Sequence, residues 1–261
     1  MPFRSLWSVP TDTSLTTFSL FRFSKGSRWQ ALKRMGQHWL TAPLPSGMTF
    51  GKMLGSGKNG FSLIPDFSQY ALLATWESVE SAEAFYANHP LLLDYAGAAE
   101  EVYSLQMIPL MAHGQWQGCN PFQTATKLTE VPADIPVVVL TRATIRLQKL
   151  YRFWQHVPQA QQAMQHSNGL LMAFGIGEVP LLQQATLSIW KSGESMKEFA
   201  YGSQQMHRRI VEQTRREQWY GEALFARFCP IASQGSYQGR DLLAESYNEY
   251  LALRREASTL I

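Results

Sequence analysis

At 261 residues, with 45% hydrophobic and 16% charged residues, the chain is long and apolar enough to bury a large core as one domain or two, which excludes a disordered chain. A formal charge of +3, with no basic run and no basic stripe interleaved with exposed aromatics, argues against a nucleic-acid partner. Cys119 and Cys229 make no metal spacing and force no disulfide, no apolar run is long enough to span a bilayer, and MPFRSLWSVPTD lacks a signal peptide's apolar core; the expected location is cytoplasmic, with peripheral membrane contact left open.

Taken in chain order, hydrophobic periodicity predicts a strand over Thr16–Phe23, a helix over Ser27–Leu40 and strands over Met48–Leu54 and Tyr70–Trp76. A broken helix over Ser78–Ala99 and a strand over Val102–Leu110 follow. The Gly-rich connection GSGKNGFSLIPDFSQ (55–69) reads as a flap. After a Pro- and Thr-containing linker, 120–136, the same order returns. It consists of strand Val137–Arg146, helix Lys149–His166, strands Leu170–Gly177 and Gln184–Trp190, helix Glu194–Gln218 and strand Ala223–Phe228. The tail 241–261 is expected to be helical, with Leu243, Tyr247, Tyr250 and Leu251 forming a stripe that docks on the body of the protein or on a second subunit, so a homodimer stays open.

The second run of elements is an internal repeat. ATWESVESAEAFY (74–86) lies over SIWKSGESMKEFA (188–200), matching Trp76 with Trp190, Ser78 with Ser192, Glu80 with Glu194, Ser81 with Ser195 and Phe85 with Phe199. Further on, GQWQG (114–118) corresponds to GSYQG (235–239). Strand, helix, strand, strand, helix, strand is the ferredoxin-like order, which covers one sheet face with helices and leaves the other needing cover. The expected fold is therefore α+β: two tandem ferredoxin-like repeats, 1–119 and 137–240, whose sheets face one another as a pseudo-two-fold α+β barrel.

Strand alternation then assigns faces. In the second repeat Ala185, Leu187 and Ile189 suit the helix side, which leaves Gln184, Thr186, Ser188 and Trp190 for the space between the sheets, together with Arg142 and Arg227. Their first-repeat counterparts are mostly apolar: Leu20 for Arg142, Tyr70 for Gln184, Leu72 for Thr186 and Ala74 for Ser188, with Gln106 for Arg227. A buried arginine needs an internal acid, here Glu178 or Glu222, or else an anionic ligand. His207 stands in a helical pattern, as a cap, a core or surface histidine, or the axial ligand of a haem iron, which needs a ring nitrogen held on a rigid element.

The ordered set VLTRATIR (139–146), Phe153 and Trp154 with Val157 and Pro158, FGIGEVP (174–180), SIW (188–190) and the His207 helix ending at ARF (226–228) resembles the spheroidene monooxygenase family, the carotenoid 2-ketolases of purple bacteria. SLFRF (19–23) and KMLGSG (52–57) extend the resemblance into the first repeat. It implies a haem-containing, oxygen-dependent monooxygenase on a long apolar polyene, fed by an external electron donor such as a ferredoxin. Similar barrels house the haem of chlorite dismutases, dye-decolourising peroxidases and aldoxime dehydratases, which implies His207 as axial ligand. Arg142, Arg227 and Trp190 would then hold the cofactor, and Arg142, Gln184 and Ser188 would serve the chemistry. Cys229 as a thiolate ligand and His89, at the pseudo-symmetric position, are the rivals to His207. The alternatives in function are a haem dehydratase or peroxidase on a smaller substrate and a non-catalytic haem carrier.

Overall fold

The computed structural model describes residues 3–6, 8–35, 43–58, 62–122, 134–202, 212–214 and 216–259. After a two-residue strand β1 (Arg4–Ser5), the first half runs β2 (Leu15–Arg22), α1 (Arg28–Met35), β3 (Met48–Gly57), β4 (Pro65–Trp76), α2 (Val79–Asn88), α3 (Pro90–Ala98) and β5 (Glu101–Gly114). The second runs β6 (Val137–Ile145), α4 (Leu150–Gln165), β7 (Leu170–Gly177), β8 (Gln183–Trp190), α5 (Gly193–Tyr201) and β9 (Tyr220–Gly235), and α6 (Leu242–Thr259) follows. The predicted break in Ser78–Ala99 falls at His89, which ends α2 and precedes Pro90 at the first position of α3. The expected flap is largely strand among its described residues, because β3 and β4 continue pairing to Gly57 and Pro65.

The strands form one antiparallel surface in the order β9-β5-β2-β4-β3-β7-β8-β6, and β6 returns to pair with β9. The result is a closed eight-strand barrel, not two separate sheets laid face to face; closure leaves none of the eight with a free edge. Within each half the strand order is fourth, first, third, second: β5-β2-β4-β3 and β9-β6-β8-β7. The halves join along a long β5–β9 seam, from Tyr103↔Gly235 to Gly114↔Leu224, and a short β3–β7 seam at Gly55↔Gly177 and Ser56↔Ile176.

Burial separates three apolar clusters. One draws on every barrel strand, including Phe18, Leu54, Leu73, Leu105, Leu140, Phe174, Leu187 and Phe228, and fills the interior; Leu243 of α6 joins it. The second packs α1, α2 and α3 on the outer face of the first half, through Ala31, Phe85 and Tyr95 against Phe21, Tyr70, Leu72 and Trp76. Its counterpart on the second half holds only Val137, Val139, Trp190 and Met196 as buried members.

The repeated motifs have local physical reasons. Ser78 and Ser192 each accept a hydrogen bond from the amide three residues on, at 3.1 Å, and so cap α2 and α5. GQWQG and GSYQG are matching turns at opposite ends of the barrel. Gly114 and Gly235 have φ of +90° and +79°, and a Cβ would stand 2.1 Å from the Ala223 carbonyl or 2.0 Å from that of Val102, so only glycine fits. The amides of Gln117 and Gly118 donate to Glu222 of the second half at 2.9 and 2.8 Å, while Gly239 donates to Glu101 of the first at 2.7 Å. Each half's turn thus holds a carboxylate of the other.

Candidate functional site

The barrel reverses the expected faces of β8. Ala185, Leu187 and Ile189 point into the interior, and Gln184, Thr186, Ser188 and Trp190 lie on the outer face beneath the helices. In a closed barrel the interior is the driest layer, because each half seals the other, so the most apolar parity goes inward and not to the helices. Arg142 does face inward, in line with Val138 and Leu140, but Arg227 pairs with Val139 and faces outward. The two arginines are on opposite faces of the sheet. Arg142, Gln184 and Ser188 are likewise not brought together.

Arg142 sits at one end of the interior with its side chain 1% exposed. Its guanidinium donates to Glu222 and lies 3.4 Å from Glu178, with the Trp116 ring centroid 5.4 Å away. Trp116 donates to the same Glu178 at 2.7 Å, and Lys52 is 3.4 Å from it. Burial works to raise the Glu222 carboxyl, but the amides of Gly118 and Gln117 and the Arg142 guanidinium outweigh it and hold the pKa below the usual carboxylate value. This constellation is a buried ion cluster that closes one barrel end; it supplies the acids that Arg142 required through its two terminal nitrogens, while the Arg142 Nε has no hydrogen-bond partner among the described residues.

The outer face of the second half is different. Register makes Thr141, flanked by Thr186 and Phe225, the equivalent of Ser19, flanked by Leu72 and Ser104. Ser19, Leu72 and Ser104 are sealed under the first half's helices. Thr141 is exposed in the middle of its sheet, with Thr186 and Phe225 half-buried. Gln184 and Ala143, half-buried, and Ala223, exposed, continue the opening toward the β7–β8 turn, where the Gln184 amide lies 3.5 Å from the Val179 carbonyl. At the other end Val137, Val139, Ser188 and Trp190 are buried, with Trp190 donating to Ser188 at 2.9 Å and stacked on Phe199 of α5. Although α4 carries Phe153, Trp154 and Val157, none of its residues is fully buried, and it packs on the buried cluster through Met164. Among the described residues a flat slot is therefore left on the second sheet where the first is packed shut. The Arg227 Nε on its floor is buried without a hydrogen-bond partner among the described residues.

His207 lies outside the described residues. His89 joins α2 to α3 with its ring 4.5 Å from that of Phe85, and burial lowers its pKa, which gives it a structural place in the first half. Cys229 is 3% exposed, and burial pushes its thiol up to about 12. Among the described residues no group of three or more His, Cys, Asp or Glu side chains could hold a metal ion. Thr141 and Phe225 are slot residues that alternation alone did not single out; the signal was Thr141 sharing a parity with Val137 and Val139.

No family model matches the chain. The spheroidene monooxygenase of Cereibacter sphaeroides is 32% identical over 237 residues, 88% of this chain and 71% of that protein. The chain belongs to the spheroidene monooxygenase family. Its relative from Rhodobacter capsulatus is 37% identical over 201 residues, 77% of this chain and 83% of that one. As a member of the spheroidene monooxygenase family the protein is an oxidoreductase with a monooxygenase function. Among solved structures, an aldoxime dehydratase aligns with a TM-score of 0.56 over 94% of this chain and 91% of that one at 10% identity, a likeness of fold. Segments that resemble the spheroidene monooxygenase family fall on both constellations: VLTRATIR carries Thr141 and Arg142, FGIGEVP carries Glu178, and ARF carries Arg227.

Proposed function

We propose that the protein is a haem-dependent monooxygenase of an apolar, carotenoid-like substrate, and that the slot on the outer face of the second sheet is its cofactor and substrate site. The observation that carries this reading is the open face around Thr141, at positions whose first-half equivalents are filled. The residues present fit a flat, largely apolar group bearing anionic arms: Phe225 supplies aromatic wall, Thr141 and Thr186 supply hydroxyls, and the Arg227 Nε, unpartnered among the described residues, calls for an acceptor such as a propionate, while Trp190 backs the closed end from beneath Phe199. Bound haem would supply an iron that activates oxygen for insertion into a C–H bond, with electrons from an external donor such as a ferredoxin. His207 is the proposed axial ligand on the strength of the family resemblance.

Within the slot, Ser188 is fixed by the Trp190 indole and forms its closed end, while the Gln184 amide stands at the open end where substrate enters. Of the two, Gln184 is the one placed to orient a polar atom there. Arg142, on the other sheet face and already paired, has no part in this site. We further read the halves as ferredoxin-like repeats, 1–119 and 137–240, with 120–136 as linker and 241–261 as tail, supported by their identical strand order. A haem dehydratase or peroxidase has only the fold in its favour.

The test is an absorption spectrum of the protein after haem is supplied. A Soret band in the wild type that is lost in His207→Ala and unchanged in His89→Ala and Cys229→Ala is the expected result. A wild type that takes up no haem, or a His207→Ala variant with the wild-type band, overturns the reading.

A further inference from the structure

Two turns gather large exposed apolar side chains, apart from others such as Tyr201, Leu91, Leu93 and Met111. Leu63 and Ile64 on the β3–β4 hairpin tip are 52% and 59% exposed, and Trp29 of α1, 57% exposed, stacks on Phe67 of the same hairpin at 5.6 Å. Around the β7–β8 turn, Leu181 is 42% exposed, and Leu147, in the 3-10 turn before α4, and Tyr151, at the start of α4, are 72% and 77% exposed. Trp154 of α4 donates to the Leu181 carbonyl at 3.2 Å and ties that helix to the turn. The two groups are repeat equivalents: Trp29 stands seven residues past Arg22 as Tyr151 stands seven past Thr144, and Arg22 and Thr144 oppose Glu101 and Glu222 in matching registers.

The two turns leave one seam in opposite directions, because β3 and β7 pair antiparallel at Gly55↔Gly177 just before them, and the repeat equivalence of those two glycines sets the turns symmetrically to either side of the seam. Each is bordered by cations: Lys25, Arg28 and Lys58 beside the first, Arg146 and Lys149 beside the second. The guanidinium of Arg28 lies 5.5 Å from the Trp29 ring centroid. Aromatic and branched apolar tips framed by Lys and Arg are the composition that seats in the headgroup layer of an anionic bilayer, and a single such patch binds weakly while two act together. Among the described residues no helix is long and apolar enough to cross a membrane, so such contact would be peripheral.

We infer that the surface flanking the β3–β7 seam docks on an anionic lipid bilayer through these two turns. The Leu181 turn borders the open end of the slot through the contact of Gln184 with Val179, so docking brings that mouth to the lipid, where an apolar substrate resides. The inference rests on exposure and charge and stands whether or not haem fills the slot.

The experiment is sedimentation of the full chain with vesicles of phosphatidylcholine containing phosphatidylglycerol, and with phosphatidylcholine alone. Wild type is expected to partition onto the anionic vesicles at least about tenfold more strongly, with the binding weakened by salt. Trp29→Ser/Leu63→Ser/Ile64→Ser and Leu147→Ser/Tyr151→Ser/Leu181→Ser are each expected to lower that partition about tenfold or more, with circular dichroism reporting that the fold is kept. Wild type that stays in the supernatant, or either triple variant partitioning as wild type does, overturns the proposal. So does concentration-dependent self-association that both triple variants abolish, which would make the surface an interface between copies of this chain.

Discussion

Glu222 and Glu101 are equivalent residues at opposite barrel ends, and each is worth more to the fold as an anion than as an acid. For both, burial works to raise the pKa, but amide hydrogen bonds from the opposing turn and an arginine outweigh it and leave the folded-state value lowered. A carboxyl depressed on folding contributes stability above its unfolded pKa, and that contribution disappears as pH falls through the folded value. The protein should therefore lose stability as pH drops through and below the ordinary carboxylate range. Glu222→Gln should lower stability at pH 7 and flatten that acid limb, because the amide has no charge to lose and can still accept from one turn amide. Urea denaturation midpoints from pH 7 to pH 3 test this; a Gln variant with the full wild-type pH dependence would show that Glu222 is not one of the groups responsible.

Among elements, the informative comparison is between the two helix layers. Ser19 is 0% exposed and bonded to Tyr86 and Ser104 at 2.6 and 2.7 Å, whereas its equivalent Thr141 is exposed. Ser19→Leu should cost about 2 to 4 kcal/mol through overpacking and two lost hydrogen bonds. Thr141→Leu should change stability by less than about 0.5 kcal/mol, yet lower haem uptake by filling the slot. Equal destabilisation of both variants in thermal melts would mean that the second layer is as closed as the first. The repeat, the strand order along the chain and the matching SVES and SGES caps were legible in the sequence because they are local: a capping serine or a turn glycine acts within a few residues. Which face of β8 goes inward was not, since alternation gives two parities and leaves the choice to whatever covers each one. Trp190 and Leu187 are both wholly buried, one under α5 and the other inside the barrel, so their hydrophobicity does not distinguish them. Nor does sequence show vacancy. Among the described residues the opening goes with an α4 that packs on the buried cluster only through Met164, a relation between a helix and a sheet that no single stretch encodes.

At the scale of the molecule, the halves depend on each other: the interior cluster takes side chains from all eight barrel strands, and each half's WQG or YQG turn secures a glutamate of the other. Unfolding should accordingly be one cooperative transition. The seams are nonetheless unequal. Between β5 and β9 pairing runs from Tyr103 to Gly114, with Trp116 buried just beyond it, whereas β3 and β7 meet only at Gly55↔Gly177 and Ser56↔Ile176. Two of those four residues are glycines, which add no side-chain packing to the contact. Local opening follows the weakest cross-strand contact, so the barrel should part first at β3–β7, beside the turn that borders the slot mouth. Native-state hydrogen exchange should show the amides at this seam exchanging through a sub-global opening, at least about tenfold faster than those in the middle of β5–β9, which should follow global unfolding. Equal protection at the two seams would mean that the barrel opens only as a whole, and that substrate must enter the slot without help from the seam.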